Sequence, residues 1–376
     1  VSSGVHVHEF QAFACTSCGR CCKPWEIAIE AAQLSAIQGS RSYQTRLKGS
    51  FVPIFAERPG VARLGDRGDD QCTFLDGQNL CELHSELGGR SKPLGCQLYP
   101  YQAVQTPAGM HVYLSFGCPP VVAGLDTDVE SNRAQLNQAL GQYSAPLQDT
   151  PESPYAVDLS EDIAISWASY LGLEQRILAA YQPEQPVDSL IGMVFGIFRA
   201  GGRGDWPELV NPREDLTFAK EILAKYLGSM VSALENIEDG EQRAALAKAV
   251  EGARRVTSTR FAMQLPALDL DRPHAAWMRN VYQRYFRNAV AGKSLLKSTV
   301  VGKLLAIACA IILAGYYAEA YRQARGRDAI DLDCLTDAFR IVEFHITTHS
   351  PVIGSYFVGL EDTFAKLAEL PIEEIA

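Results

Sequence analysis

"LLAIACAIILAGYYA", Leu304 to Ala318, is the stretch on which the whole reading turns. An apolar run of this kind is either a membrane span or the buried axis of a helical body. A span needs roughly 20 apolar residues, and this run has about fifteen. Lys303 stands directly before it, and "EAYRQARGR" follows without a break. It therefore reads as a core helix of a soluble protein with no membrane partner. Downstream, "DCLTDAFRIVEFHITTH" repeats Leu335, Ala338, Phe339, Val342 and Ile346 at helical spacing, with Asp333 as its expected N-cap. Upstream, helical periodicity recurs over Asp162–Tyr181, Asp215–Ile237, Glu241–Arg255 and "PHAAWMRNVYQRYFRNAV". "QPEQP" and "AGGRGDWPELVNP" break the pattern. Residues 123–376 are thus expected to form an α-helical domain.

The rest of the chain differs in kind. Eight of the ten cysteines precede residue 122, amid frequent Gly, Pro and Asp. Short-strand signals accompany them. "CTFLDGQNLCELH" sets two apolar runs about Asp76-Gly77, and "YQAVQTPAGMHVYLSF" reads as a hairpin closed at Thr106–Gly109, with Val112, Leu114 and Phe116 on one face. The predicted fold is mainly α, with residues 1–122 a small irregular cysteine-rich metal-binding lobe with short β-hairpins on a larger helical body. The formal net charge of −10 argues against a nucleic-acid partner, which requires clustered Lys and Arg. The residues given show no basic segment, apolar run and small-residue cleavage site in succession, so the chain reads as cytoplasmic.

Four thiols fall within eight residues of "CTSCGRCC", Cys15 to Cys22. Disulfide staples serve small, core-poor domains in oxidising compartments, which does not describe a chain with a large helical body. Inert burial suits the isolated Cys309 and Cys334 but not a cluster. Metal ligation accounts for the crowding, because Cys-x2-Cys turns two sulfurs toward one ion. Cys15, Cys18 and Cys21 have the ferredoxin-like x2-x2 spacing, and Cys118 precedes proline as the remote ligand of that run does. Cys15, Cys18, Cys21 and Cys118 are read as one site, and Cys22, Cys72, Cys81 and Cys96 as a second site or a supporting shell. Adjacent Cys21 and Cys22 are expected to point apart. An iron–sulfur cluster, 4Fe-4S foremost, and zinc both suit such ligands.

These residues resemble the cysteine-cluster family whose signature is CxxCxxCC, described as chelating zinc or iron. "CTFLDGQNLC" and "KPLGCQLYP" match its later cysteine motifs. The longer flagellin lysine-N-methylase branch is the most similar, through "CCKPWEIAIE" about Trp25, "CELHSELGG", "YLSFGCPP", "YQRYFRN", "YYAEAYRQA" and His349-Ser350. The resemblance implies a metal or iron–sulfur centre and methyl transfer from S-adenosylmethionine to lysines of a flagellin-like protein substrate. Tyr101, Pro120 and Lys92 depart from the family pattern. The alternative is a non-catalytic metal protein, a redox or metal sensor or a partner-docking module.

Other candidates are weaker. Tyr285 and His349 are the only residues that suggest themselves as catalytic; Arg284 and Asn288 beside Tyr285 are expected to brace a helix interface. His345 and His349 share a helical face, while His84 and His111 flank the cysteines and are candidate substitute ligands. His6 and His8 read as part of a loose end. "GMVFGIFRAGGRG", Gly192–Gly204, is glycine-rich but follows no strand, so it is not expected to cradle a nucleotide.

Overall fold

The computed structural model describes residues 4–22, 27–29, 31–47, 54–58, 61–64, 71–124, 128–141, 147–201, 206, 209–210, 216–235, 270, 274–343 and 351–369. In chain order the strands are β1 Val5–His6, β2 Ala28–Ile29, β3 Ile54–Arg58, β4 Val61–Leu64, β5 Tyr101–Thr106, β6 Gly109–Leu114, β7 Ala156–Asp158 and β8 Ala164–Ser166. The helices are α1 Ala31–Gly39, α2 Arg41–Leu47, α3 Glu82–Leu87, α4 Leu94–Leu98, α5 Pro119–Ala123, α6 Val129–Leu140 and α7 Trp167–Ala180. They continue as α8 Pro186–Ala200, α9 Thr217–Glu235, α10 Ala276–Ala291, α11 Val300–Ala324, α12 Leu332–Ile341 and α13 Pro351–Glu369. The architecture is mainly α, with three sheets of two or three strands, as the sequence predicts.

The axis is α11. It is long and apolar enough to cross a membrane by length and composition, yet it lies buried among α8, α12 and α13. Thr299 caps it by accepting the Gly302 N–H at 3.1 Å. Apart from Lys303, its residues from Val300 to Ala314 are almost without exposure, and each buried Leu or Ile contributes on the order of 2 kcal/mol. Its late acid, Glu319, is neutralised within the same helix by Arg322 at 2.7 Å. Packing of α8 explains the glycine-rich stretch: a Cβ on Gly196 would lie 2.2 Å from the Leu209 carbonyl oxygen. Gly196 thus serves close approach of another backbone to a helix.

The expected hairpin is present, with β5 and β6 paired from Tyr101↔Leu114 to Thr106↔Gly109. Residues Val112, Leu114 and Phe116 are buried. Its other edge carries β1 in parallel register, His6 opposite His111. The N-terminal segment is therefore anchored, not loose. Gln11 donates to the Val112 carbonyl at 2.7 Å, and Arg133 donates to that of Val7 at 3.0 Å. Asn288 from α10 locks the sheet to the helical body, accepting the Leu114 N–H and donating to its carbonyl, both at 2.8 Å. Arg284 donates to the Val122 carbonyl, so both residues brace an interface as expected.

Several sequence expectations change. Around Asp76-Gly77 there is a single bridge, Leu75↔Cys81, because the Asp76 carboxylate takes the N–H groups of Gln78 and Leu80 and the second run turns into α3. Asp331, not Asp333, caps α12, because its extended backbone lets its side chain accept the Cys334 N–H at 2.9 Å. The helix expected from Asp162 begins at Trp167, since Ser166 caps it and Ala164–Ser166 pair with β7 instead. A sheet of order β2-β4-β3 had no clear sequence signal. The expected helix over Glu241–Arg255 lies outside the described residues, as do Trp25 and Ile346.

Candidate metal centre

All ten cysteines are free thiols. The loop carrying the first four is built from two reversals. Ser17 adopts a left-handed φ of 53° and its N–H reaches the Cys15 Sγ at 3.4 Å. Gly19 adopts φ 67°, and its carbonyl accepts the Cys22 N–H at 3.0 Å. These turns coil the x2-x2 run into a compact arc ending in a 3-10 turn, Arg20–Cys22. The remaining cysteines approach from separate elements. Cys72 donates its N–H to the Cys22 carbonyl at 2.7 Å. Cys81 stands at the start of α3, and Cys96 sits within α4. Cys118 stands at the start of α5, where Pro119 and Pro120 occupy the positions that have no helical N–H acceptor to satisfy. Beneath Cys72, Cys81 and Cys96 lies a small apolar floor of Ile27, Ile29, Ile37, Phe74 and Leu83, separate from the main core.

The thiols raise and lower one another's pKa values. Cys118, raised chiefly by burial, is raised further by the charges of Cys21, Cys18 and Cys15. Cys22 is raised by its hydrogen bond with Cys21 and by burial, and then by the charges of Cys21, Cys72 and Cys81. Cys96 is raised by burial and feels Cys72, Cys81 and Cys21. Against the expectation that they diverge, Cys21 and Cys22 have their sulfurs 3.9 Å apart within the 3-10 turn. The hydrogen bond between the two thiols brings the Cys21 pKa down to about 7 against the effect of burial, with help from the nearby charges of Lys92 and Arg340.

Basic groups surround these sulfurs. Arg20, inside the motif, pairs with Asp337 of α12 at 2.7 Å, and Arg325 binds the other oxygen of the same carboxylate. Arg340 donates to the Arg20 carbonyl at 3.5 Å. The donor set fits a thiophilic metal: free thiols, one of low pKa, with cations to offset thiolate charge. Among the described residues, however, no three Cys, His, Asp or Glu side chains converge tightly enough to hold an ion, so the ligand geometry is not fixed by the polypeptide alone.

The remaining candidates are dispersed. His111 stacks on His6 at 4.4 Å, within the field of Lys293 and His8. His84 lies on α3, its ring facing Gly89. Cys309 and Cys334 are buried in α11 and α12. Tyr285 is buried and donates to Glu343 at 3.1 Å, while His345 and His349 lie outside the described residues. Sequence reasoning missed Arg340, Asp337, Tyr99 and Glu343, since no local pattern links them to the cysteines. Arg20 was visible only as a basic residue inside the motif.

Residues 14–114 match the family model CxxCxxCC, described as a "putative zinc- or iron-chelating domain". No curated protein and no solved structure matches the chain. The matched segment contains seven of the eight clustered cysteines, and Cys118 follows four residues beyond its end.

Proposed function

We propose that the chain is a metal protein whose amino-terminal lobe holds a thiolate-bound iron–sulfur or zinc centre, with Cys15, Cys18, Cys21 and Cys118 as one ligand set. Cys22, Cys72, Cys81 and Cys96 make the second set. The observation that carries this reading is the gathering of the thiols, with the Cys21 and Cys22 sulfurs 3.9 Å apart and the Cys72 N–H donated to the Cys22 carbonyl at 2.7 Å. The ferredoxin-like spacing favours 4Fe-4S. Bound iron–sulfur would supply one-electron chemistry, and zinc a structural tie. The chain's own part is to bring the thiols close, to set Lys92 and Arg340 against their charge, and to seat the lobe on α12 through the Arg20–Asp337 pair. Ten free thiols also support a reducing, cytoplasmic location. Anaerobic purification with metal analysis and absorption spectroscopy is the test. Iron with a broad visible band identifies the cluster, and zinc without colour identifies the tetrahedral site. Protein isolated natively with neither metal refutes the reading.

Resemblance in the carboxy-terminal half extends it to methyl transfer from S-adenosylmethionine to a lysine of a flagellin-like protein. Labelled S-adenosylmethionine incubated with metal-loaded protein and flagellin tests that extension. Failure of the loaded protein to bind S-adenosylmethionine leaves the non-catalytic sensor or docking role.

A further inference from the structure

Glu343 follows α12 and is 5% exposed, inside the helical body. Its two oxygens accept the Ser115 hydroxyl at 2.9 Å and the Tyr285 hydroxyl at 3.1 Å, and the Phe116 N–H also points to it. Ser115 belongs to the turn that carries Cys118. Its carbonyl accepts the Cys118 N–H at 3.3 Å, and its Oγ accepts the Gly117 N–H at 3.2 Å. Tyr99, at the end of α4, has a buried hydroxyl and feels the charges of Cys118, Cys21, Arg340 and Glu343. Three rings, Phe116, Tyr285 and Phe339, pack at 5.0–5.3 Å and hold this junction rigid. The groups facing Glu343 are thus Ser115 and Tyr113 from the β6 side, Tyr99 from α4, Tyr285 from α10 and Lys303 from α11.

We propose that Glu343 is a proton-loading site linked to the sulfur centre: filling the centre with metal places negative charge beside Tyr99 and Cys118, and Glu343 takes up a proton in response. This rests on the metal-binding reading above. The charge balance is the same for either metal. Four neutral thiols that ligate Zn²⁺ lose four protons and leave a site of net charge −2; a 4Fe-4S core in its 2+ state with four thiolates also reaches −2. One of those protons is retained when the Glu343 carboxylate becomes a carboxylic acid, so release falls from four to three. The surroundings admit both forms, because a Ser hydroxyl donates to a carboxylate and accepts from a carboxylic acid. Burial raises the pKa of Glu343, while the Ser115 and Tyr285 hydroxyls and the Lys303 charge oppose that rise.

The experiment is calorimetric titration of Zn²⁺ into the reduced, metal-free full chain. Buffers of different ionisation enthalpy give the protons released at each pH. Wild type is expected to release fewer protons than Glu343→Gln over one pH window, by up to one, and the two converge outside it. Tyr285→Phe keeps the carboxyl but removes a donor to its charged form, so its window moves to higher pH. This second variant serves where Glu343→Gln fails to fold. Equal proton counts for wild type and Glu343→Gln with normal Zn²⁺ uptake, or an unmoved window in Tyr285→Phe, overturn this proposal alone. Absence of Zn²⁺ uptake overturns it together with the reading beneath it.

Discussion

Replacing Gly19 with alanine tests whether the cysteine arc must take its described shape to hold metal. Gly19 sits at φ 67°, a region that costs a residue bearing a Cβ about 1–2 kcal/mol. A Cβ placed there would lie 2.8 Å from the Asn79 Cβ and 2.9 Å from its Oδ1. Rotating the Asn79 side chain does not relieve the first contact, because that Cβ is fixed to a backbone itself held at φ 63°. The metal-free loop can relax away from this strain, whereas a loaded centre must draw Cys18 and Cys21 back together. The cost therefore appears in affinity: about 1–2 kcal/mol, or roughly 5- to 30-fold weaker binding. Competition against a chromophoric chelator under anaerobic, reducing conditions measures it. Adding Asn79→Gly should recover the steric part and leave the backbone part. Gly19→Ala binding within twofold of wild type would show that metal uptake does not require this turn.

Serine substitutions test the division of the thiols: Cys118→Ser and Cys22→Ser should each reduce bound metal by about one site's worth, while Cys21→Ser disturbs both. Identical loss in all three would argue for a single site. Lys293 and Glu174 form a buried pair, both side chains about 6% exposed. Lys293→Met should cost about 3–5 kcal/mol in urea unfolding by stranding a carboxylate, and Lys293→Met with Glu174→Leu should recover much of it. Burial, reinforced by Lys293, His6 and His8, brings the His111 pKa from 6.5 down to about 3. The folded state therefore refuses a proton that the unfolded state accepts. Stability should fall as pH drops from about 6.5 toward 3, by up to about 1.4 kcal/mol per pH unit from this residue. The fall should be shallower in His111→Gln, and parallel pH profiles for the two proteins would contradict the assignment.

Legibility differed by type of feature. The helices around α11 were visible because apolar spacing is a local property, and the β5–β6 hairpin because its turn chemistry is local as well. Boundaries failed where a neighbouring side chain competes for the backbone, as Asp76 does in the abortive hairpin and Asp331 does at α12. The short parallel strand β1 was illegible, since only its register beside β6 gives two residues a reason to be extended. Within the candidate centre, the eight thiols could be read from the sequence. Their sulfur distances could not, nor could the approach of Cys21 to Cys22.

What the amino-acid order determined alone is the chemistry on offer: a cluster of soft donors ahead of a helical body with an apolar axis. Composition and periodicity belong to the covalent chain, so they need no fold to be read. Only the tertiary structure decided which charges surround those donors. Arg20 meets Asp337 more than three hundred residues away, and Glu343 reaches the Cys118 turn across more than two hundred. Coulomb interactions fall with distance in space, not along the chain, so such pairs come into being only when α12 packs against the lobe.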